Sequence, residues 1–346
     1  MIKFLRAFAL IFSLIFSCAK AQDPQFSQYY ANPLFLNPGF TGANLEARAG
    51  LIYRNQWPSI DQANFQTVAL YADKYFADQR SGVGFLLVRD QAGDIGLTST
   101  TFNLSYSYQI PISEKLTFRP GINFGYITQD QDFSELFFAS QFDPNSGLFD
   151  PSSPNGLDLT GTERVNSFDI GLGGVVYGPQ WWFGFAGHHL NEPSRSIIGD
   201  DNVNIDARYT FHGGYKIPLR NIPFDNPNNP RRELSLTPTV QYKFQGDFDQ
   251  VDVGMYLTYE PINFGVWYRG IPIKNVSDQT NSEAIIGMVA LSTNGGLVIG
   301  YSYDYTISDL GISSGGAHEL TLTYNFILRN RRIPPRERRI IPCPKI

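Results

Sequence analysis

Residues of this chain alternate between apolar and polar over segment after segment of about ten, and that period limits its possible folds more than any other feature. In Thr98 to Ile110, Phe102, Leu104, Tyr106, Tyr108 and Ile110 share one face, while Thr101, Asn103, Ser105, Ser107 and Gln109 share the other. Leu234 to Gln245 repeats the pattern, as do Val251 to Tyr259, Ile262 to Tyr268, Leu297 to Tyr305 and Leu320 to Phe326. Successive strand side chains point to opposite faces, so each segment reads as a strand with one greasy and one wet side. Beyond the amino-terminal segment no apolar run approaches the roughly 20 residues that a membrane-crossing helix needs. A soluble β-sandwich shows the same period, but it places Leu and Val on its facing surfaces, where this chain carries Ser, Thr and Asn. The expected fold is therefore an all-β transmembrane antiparallel barrel.

The alternation marks about fourteen strands, near 45–54, 64–75, 82–89, 97–110, 116–128, 164–177, 181–190, 207–217, 234–245, 250–260, 262–270, 283–291, 295–305 and 318–327. An even number brings both ends to one side of the membrane. With that side inner, Pro111–Lys115, Gly178–Gln180, Glu260–Pro261 and Ser292–Asn294 become short turns. Gln129–Glu163, Asn191–Asp206, Ile271–Ser282 and Thr306–Ala317 become long outer loops, as barrels of this kind have. The inner connection Pro218–Arg232 is long and the outer one Gly246–Asp249 short, both against the rule. Pro238 lies inside a strand, where its missing N–H favours a bulge.

The two ends place the chain in an exported compartment. Lys3 and Arg6 precede the apolar run Ala7 to Phe16, and Ala19-Lys20-Ala21 closes it as a small-x-small cleavage site, so 1–21 reads as a signal peptide. Lipidation at Cys18 competes with cleavage after Ala21, although bulky Phe16 fits a lipid-attachment box poorly. The only other cysteine is Cys343, so the cleaved chain has no internal disulfide to rest on. Loss of Lys3, Arg6 and Lys20 takes the net charge from -5 to -8, which argues against nucleic acid as a partner and leaves protein and outer-membrane lipid. Aromatics reach 14% against 17% charged residues, and the aromatics are mostly Tyr and Phe, which suits girdles at a lipid boundary. The expected organisation is 1–21 signal, 22–44 amino-terminal arm or plug, 45–328 barrel and 329–346 basic periplasmic tail.

The arm contains Asp23-Pro24-Gln25-Phe26-Ser27-Gln28-Tyr29 and, after Pro33, Leu36-Asn37-Pro38-Gly39-Phe40. Its prolines forbid a long helix and favour extended chain with tight turns. Phe26, Tyr29 and Leu34 suit either a plug docked in the barrel or an arm that binds a partner. These residues resemble the amino-terminal signature of the PorP/SprF family of the type IX secretion system. Tyr53-Arg54-Asn55-Gln56-Trp57 is similar to that family's next motif. Gly187-His188-His189-Leu190, Gly300-Tyr301-Ser302-Tyr303-Asp304-Tyr305 and Ser314-Gly315-Gly316-Ala317-His318-Glu319-Leu320 continue the resemblance in order across the mature chain. The resemblance implies an outer-membrane component that assists secretion of cargo proteins bearing a carboxy-terminal sorting domain, adhesins among them, with a link to gliding motility. Its signature positions here are Asp23, Pro24, Phe26, Tyr29, Asn37, Pro38, Arg54, Trp57, His188, Asp304, His318 and Glu319, with structural or partner-binding roles.

Family members often stop soon after the last strand, whereas this chain continues with Arg331, Arg332, Arg336, Arg338 and Arg339 among prolines. That tail reads either as a solvated segment or as a contact to the secretion machinery. Neither a catalytic residue nor a cofactor is expected. His188 and His189 lack a third ligand at metal spacing, and no serine carries a nucleophile motif. Calcium at the acidic loop Gln129–Glu163 stays open, without a loop motif of fixed spacing. The rival functions are a porin or hydrophobic-solute channel, which needs an open lumen, and a barrel lipase, which needs a catalytic serine. Alternation turns Glu319 toward the lumen, where an arginine on a neighbouring strand is its expected partner, and His318 outward.

Overall fold

Side chains of alternating polarity can meet lipid and water at once only where the backbone between them is paired on both edges. The computed structural model describes residues 23–44, 47–60, 65–93, 97–133, 141–142, 162–196, 203–220, 233–271, 282–308, 311–326 and 340–344. Among them the strands are β1 (Ala47–Gln56), β2 (Phe65–Phe76), β3 (Ser81–Ala92), β4 (Leu97–Tyr108), β5 (Ile110–Pro111), β6 (Thr117–Asp132), β7 (Thr162–Tyr177) and β8 (Trp181–His188). They continue with β9 (Arg208–Tyr215), β10 (Ile217–Arg220), β11 (Leu234–Gln245), β12 (Phe248–Tyr259), β13 (Ile262–Gly270), β14 (Ser282–Ser292), β15 (Leu297–Thr306) and β16 (Ala317–Phe326). β4 with β5, and β9 with β10, each form one stave broken at a single residue, so the sheet has 14 staves. Each pairs antiparallel with its sequence neighbours, and β16 closes on β1 from Ala47↔Phe326 to Gln56↔Ala317. Among the described residues no helix is long and apolar enough to cross a membrane.

The pleat sorts the side chains as the sequence pattern requires. In β4, Phe102, Leu104, Tyr106 and Tyr108 are exposed on the outside while Asn103, Ser105 and Ser107 are buried inside. In β11, Ser235, Thr237, Thr239 and Gln241 are buried beside outward Val240. Leu51, Leu70, Phe124, Leu172 and Val253 extend the outer apolar band around the wall. Turns on the side where β1 begins are mostly short, such as 77–80 and 260–261, and the long connections 133–161 and 189–207 lie opposite. By the usual asymmetry of such barrels, the start of β1 and the end of β16 face the periplasm and the long loops face outward.

Three local features depart from the sequence expectation. β6 and β7 run on to Asp132 and from Thr162, past the point where the outward apolar pattern stops, because Asp130 pairs with Arg164 across the ladder (2.5 Å). The loop expected at Gln129–Glu163 is shorter accordingly, and most of it lies outside the described residues. Pro238 makes no bulge against β12, where the register is unbroken. Its missing N–H instead faces the neighbouring stave, at the point where β9 ends and β10 begins, and the register shift falls nearby between Pro218 and Arg220. The signal segment, residues 221–232 and the tail arginines 331–339 lie outside the described residues.

Residues 23–44 pack on the inward faces of the strands. Phe26, Tyr29, Tyr30, Leu34, Leu36, Phe40 and Ala43 are buried there, as are the polar Ser27, Gln28, Asn32 and Asn37. Pro33–Leu36 forms one helical turn with Pro at its start, and Pro38–Phe40 forms a 3-10 turn whose preceding Asn37 accepts from the Gly39 N–H (2.8 Å). The wall is hollowed to admit these turns. A Cβ on Gly121 would lie 2.4 Å from the Pro38 carbonyl carbon, and one on Gly82 would lie 2.1 Å from the Thr41 oxygen.

Candidate functional site

An inward-facing charge on a strand needs a partner inside the lumen, and the described residues supply one in every layer of the arm. At the outer end, Asp23 accepts from His189 Nε2 (2.8 Å) and pairs with Arg208 Nη1 (2.8 Å), while Gln245 Oε1 accepts from its backbone N–H (3.1 Å). His189 Nδ1 meets Asp169 Oδ1 at 3.0 Å, so the ring is a cation bridging two carboxylates. Burial opposes that cation, but Asp23 and Asp169 outweigh it and push its pKa up to about 9. Burial likewise disfavours the Asp23 carboxylate, yet His189 and Arg208 hold it well below the usual range. Arg208 also covers the Phe35 ring at 4.2 Å from its centroid.

One layer further in, β1, β12, β13, β15 and β16 turn Arg54, Asp252, Arg269, Asp304 and Glu319 onto the same stretch of arm. Arg54 Nη2 donates to Asp304 Oδ2 (2.9 Å) and Nη1 to Glu319 Oε2 (3.2 Å), its neighbour in register. Arg269 Nε donates to Asp252 Oδ1 (2.7 Å) and Nη1 to Asp304 Oδ2 (2.9 Å). Ser27 Oγ sits at the centre: it donates to Asp304 (2.6 Å) and accepts from both Arg54 (2.8 Å) and Arg269 (3.2 Å). Three carboxylates face two guanidinium groups, and the remaining demand of Glu319 is met by the Ser27 and Gln28 backbone N–H groups at 2.8 Å each. The arm is thus part of the cluster's hydrogen bonding.

Below this the contacts are aromatic, then polar again. Tyr29 OH meets Thr239 Oγ1 at 3.0 Å, and Trp182 Nε1 donates to Tyr30 OH (2.8 Å). Asn37 Nδ2 donates to the Gly174 and Phe185 carbonyls (3.1 and 3.0 Å), which pins the arm to β7 and β8. At the inner end Arg119 Nη2 donates to the Thr41 carbonyl (2.6 Å), and the Gly42 N–H donates to Asp73, itself paired with Arg48 (2.9 Å). Asp23 therefore lies level with the outer strand ends and Gly42 near the inner ones. Cavities flanking the arm measure about 20, 40 and 60 Å³, room for water and little else. A larger space of about 390 Å³ opens above Asp23 and Pro24, lined by Trp57, Phe65 and Arg195.

The signature residues separate into those that meet and those that do not. Arg54, Asp304 and Glu319 share one cluster, and Asp23, Phe26, Tyr29, Asn37 and Pro38 belong to the arm it holds. Pro24 lines the outer cavity, with Trp57 packed edge-on to Phe65 (5.5 Å) at its rim. His188 faces inward and stacks on Phe35, while His318 faces outward and meets Tyr301 OH at 2.8 Å, so neither touches the ionic cluster. Sequence reasoning passed over Ser27, Arg208, Asp252 and Arg269. The last three carry a usable signal, since each is a charge on the inward face of a strand.

A model of the type IX secretion system membrane protein PorP/SprF matches residues 18–324. The chain belongs to that family. It is accordingly an outer-membrane β-barrel of the type IX secretion system. No curated protein matches it. Among solved structures it is similar to a FadL homologue of Pseudomonas aeruginosa, at 13% identity over 86% of this chain and 94% of that one, with a TM-score of 0.46. It is similar also to the toluene transporter TodX of P. putida (9% identity, 83% and 92% covered, TM-score 0.42). BamA from Haemophilus ducreyi is a third (10% identity, 81% and 70% covered, TM-score 0.38).

Proposed function

We propose that this PorP/SprF protein works as a closed binding scaffold in type IX secretion, with residues 23–44 as a resident plug rather than a transient passenger. The supporting observation is the cluster around Ser27, in which the arm completes the hydrogen bonding of buried charges on four staves. Withdrawing the arm would leave Glu319 short of two donors in the lumen, a cost that favours occupancy. A filled lumen suits protein binding at the two mouths better than passage of solutes, and no catalytic role is proposed for any residue. The outer loops, including what remains of Gln129–Glu163, contact cargo with a carboxy-terminal sorting domain, such as a surface adhesin used in gliding. The tail arginines 331, 332, 336, 338 and 339 contact the secretion machinery from the periplasmic side.

Affinity capture from outer membranes tests this. The full chain is expected to recover a sorting-domain protein together with components of the machinery. Gly121→Val, whose new side chain collides with Pro38 while suiting a strand, is expected to assemble a barrel that loses one or both. Equal recovery by a variant shown to have released its arm contradicts the scaffold reading.

A further inference from the structure

The inner mouth carries a groove that the arm and the wall build together. Pro33, Phe40 and Ala43 form the arm side, and Val298 of β15 with Thr323 of β16 forms the wall side. Residues 340–344 lie in it. Ile341 is only 2% exposed and joins the buried cluster of Tyr30 and Phe40, and Cys343 packs against the same cluster. Pro342 and Pro344 flank the cysteine and restrict the backbone before docking, which lowers the entropy lost on binding. The groove has no floor without the arm, because Phe40 and Ala43 supply it. We propose that residues 340–344 form a strap that this chain docks in cis beneath its own amino-terminal arm, stapling the arm to the β15–β16 wall. Strap and arm are then linked: whatever draws the strap out loosens the arm, and release of the arm frees the strap. A periplasmic partner that binds the tail gains in this way a handle on the lumen.

Cys343 reports on the strap directly in the full chain in outer-membrane fragments. Docked, it is expected to react with a hydrophilic maleimide at least tenfold more slowly than a cysteine placed at Arg336→Cys in a Cys343→Ser background. Ile341→Arg should raise the reactivity of Cys343 to that reference rate while the barrel still shows its heat-dependent gel shift. In Ala43→Cys or Val298→Cys, mild oxidation should join the new cysteine to Cys343 within one chain, as mapped by peptide mass spectrometry. Equal reactivity in the unaltered chain overturns the proposal, as does an unchanged rate in Ile341→Arg. Cross-links found only between two copies, or at neither position, overturn docking in cis.

Discussion

Arg54 shows how a single residue in this lumen answers to several strands at once. It is buried between Asp304 and Glu319 and shares Ser27 with Arg269. Arg54→Ala takes the guanidinium from two buried carboxylates and is expected to cost about 3–5 kcal/mol, measured by urea unfolding of the barrel in lipid vesicles. His189 gives a pH dependence of definite sign. Its pKa is raised from 6.5 to about 9 in the folded protein, so its contribution is whole below about 6.5 and disappears as pH rises through about 9. Thermal unfolding in detergent should accordingly show a midpoint that falls between pH 7 and 10, and the fall should shrink in His189→Gln; an identical fall would remove His189 from the account. Alternation alone reveals that Arg54 and Glu319 point inward. It does not reveal that Ser27 lies between them, because Ser27 and Glu319 are 292 residues apart and meet only after the sheet closes.

At the scale of the strand, nearly everything was legible in the sequence, since lipid outside and polar lumen inside impose a two-residue period on each stave. Limits were less legible where the membrane stops supplying the signal. β6 continues above the apolar band because Asp130 and Arg164 pair across it, and no outward apolar residue marks that extension. Pro238 was legible as an interruption, but which edge it interrupts depends on which neighbouring stave its missing N–H faces. The two faces predict opposite tolerances. Leu104→Arg puts a charge on the lipid face and should destabilise by about 2–4 kcal/mol if near the midplane, read from the same unfolding titration. Gly121→Val should leave the strands intact yet make residues 23–44 accessible to a protease added from the periplasmic side, because Val and the Pro38 turn cannot share one space. Continued protection of the arm in that variant would mean that the wall yields instead.

Across the whole molecule, closure of β16 on β1 gives each of the 14 staves a paired neighbour on both sides and leaves the lumen as the place where specificity can be stored. The strand count and the membrane setting followed from period and composition. The use of the lumen did not, because a segment with Phe, Tyr and Pro serves equally as a plug or as a free arm until its partners are known. Those partners are polar residues on strands distant in sequence, together with glycines that give room only where a turn arrives. The account stands on the lumen being filled by the chain itself, and ionic current tests that most directly. Purified full-length protein in planar bilayers is expected to stay electrically silent, while Gly121→Val or a chain lacking residues 23–44 gives discrete openings. Large, steady conductance from the unaltered protein would contradict it.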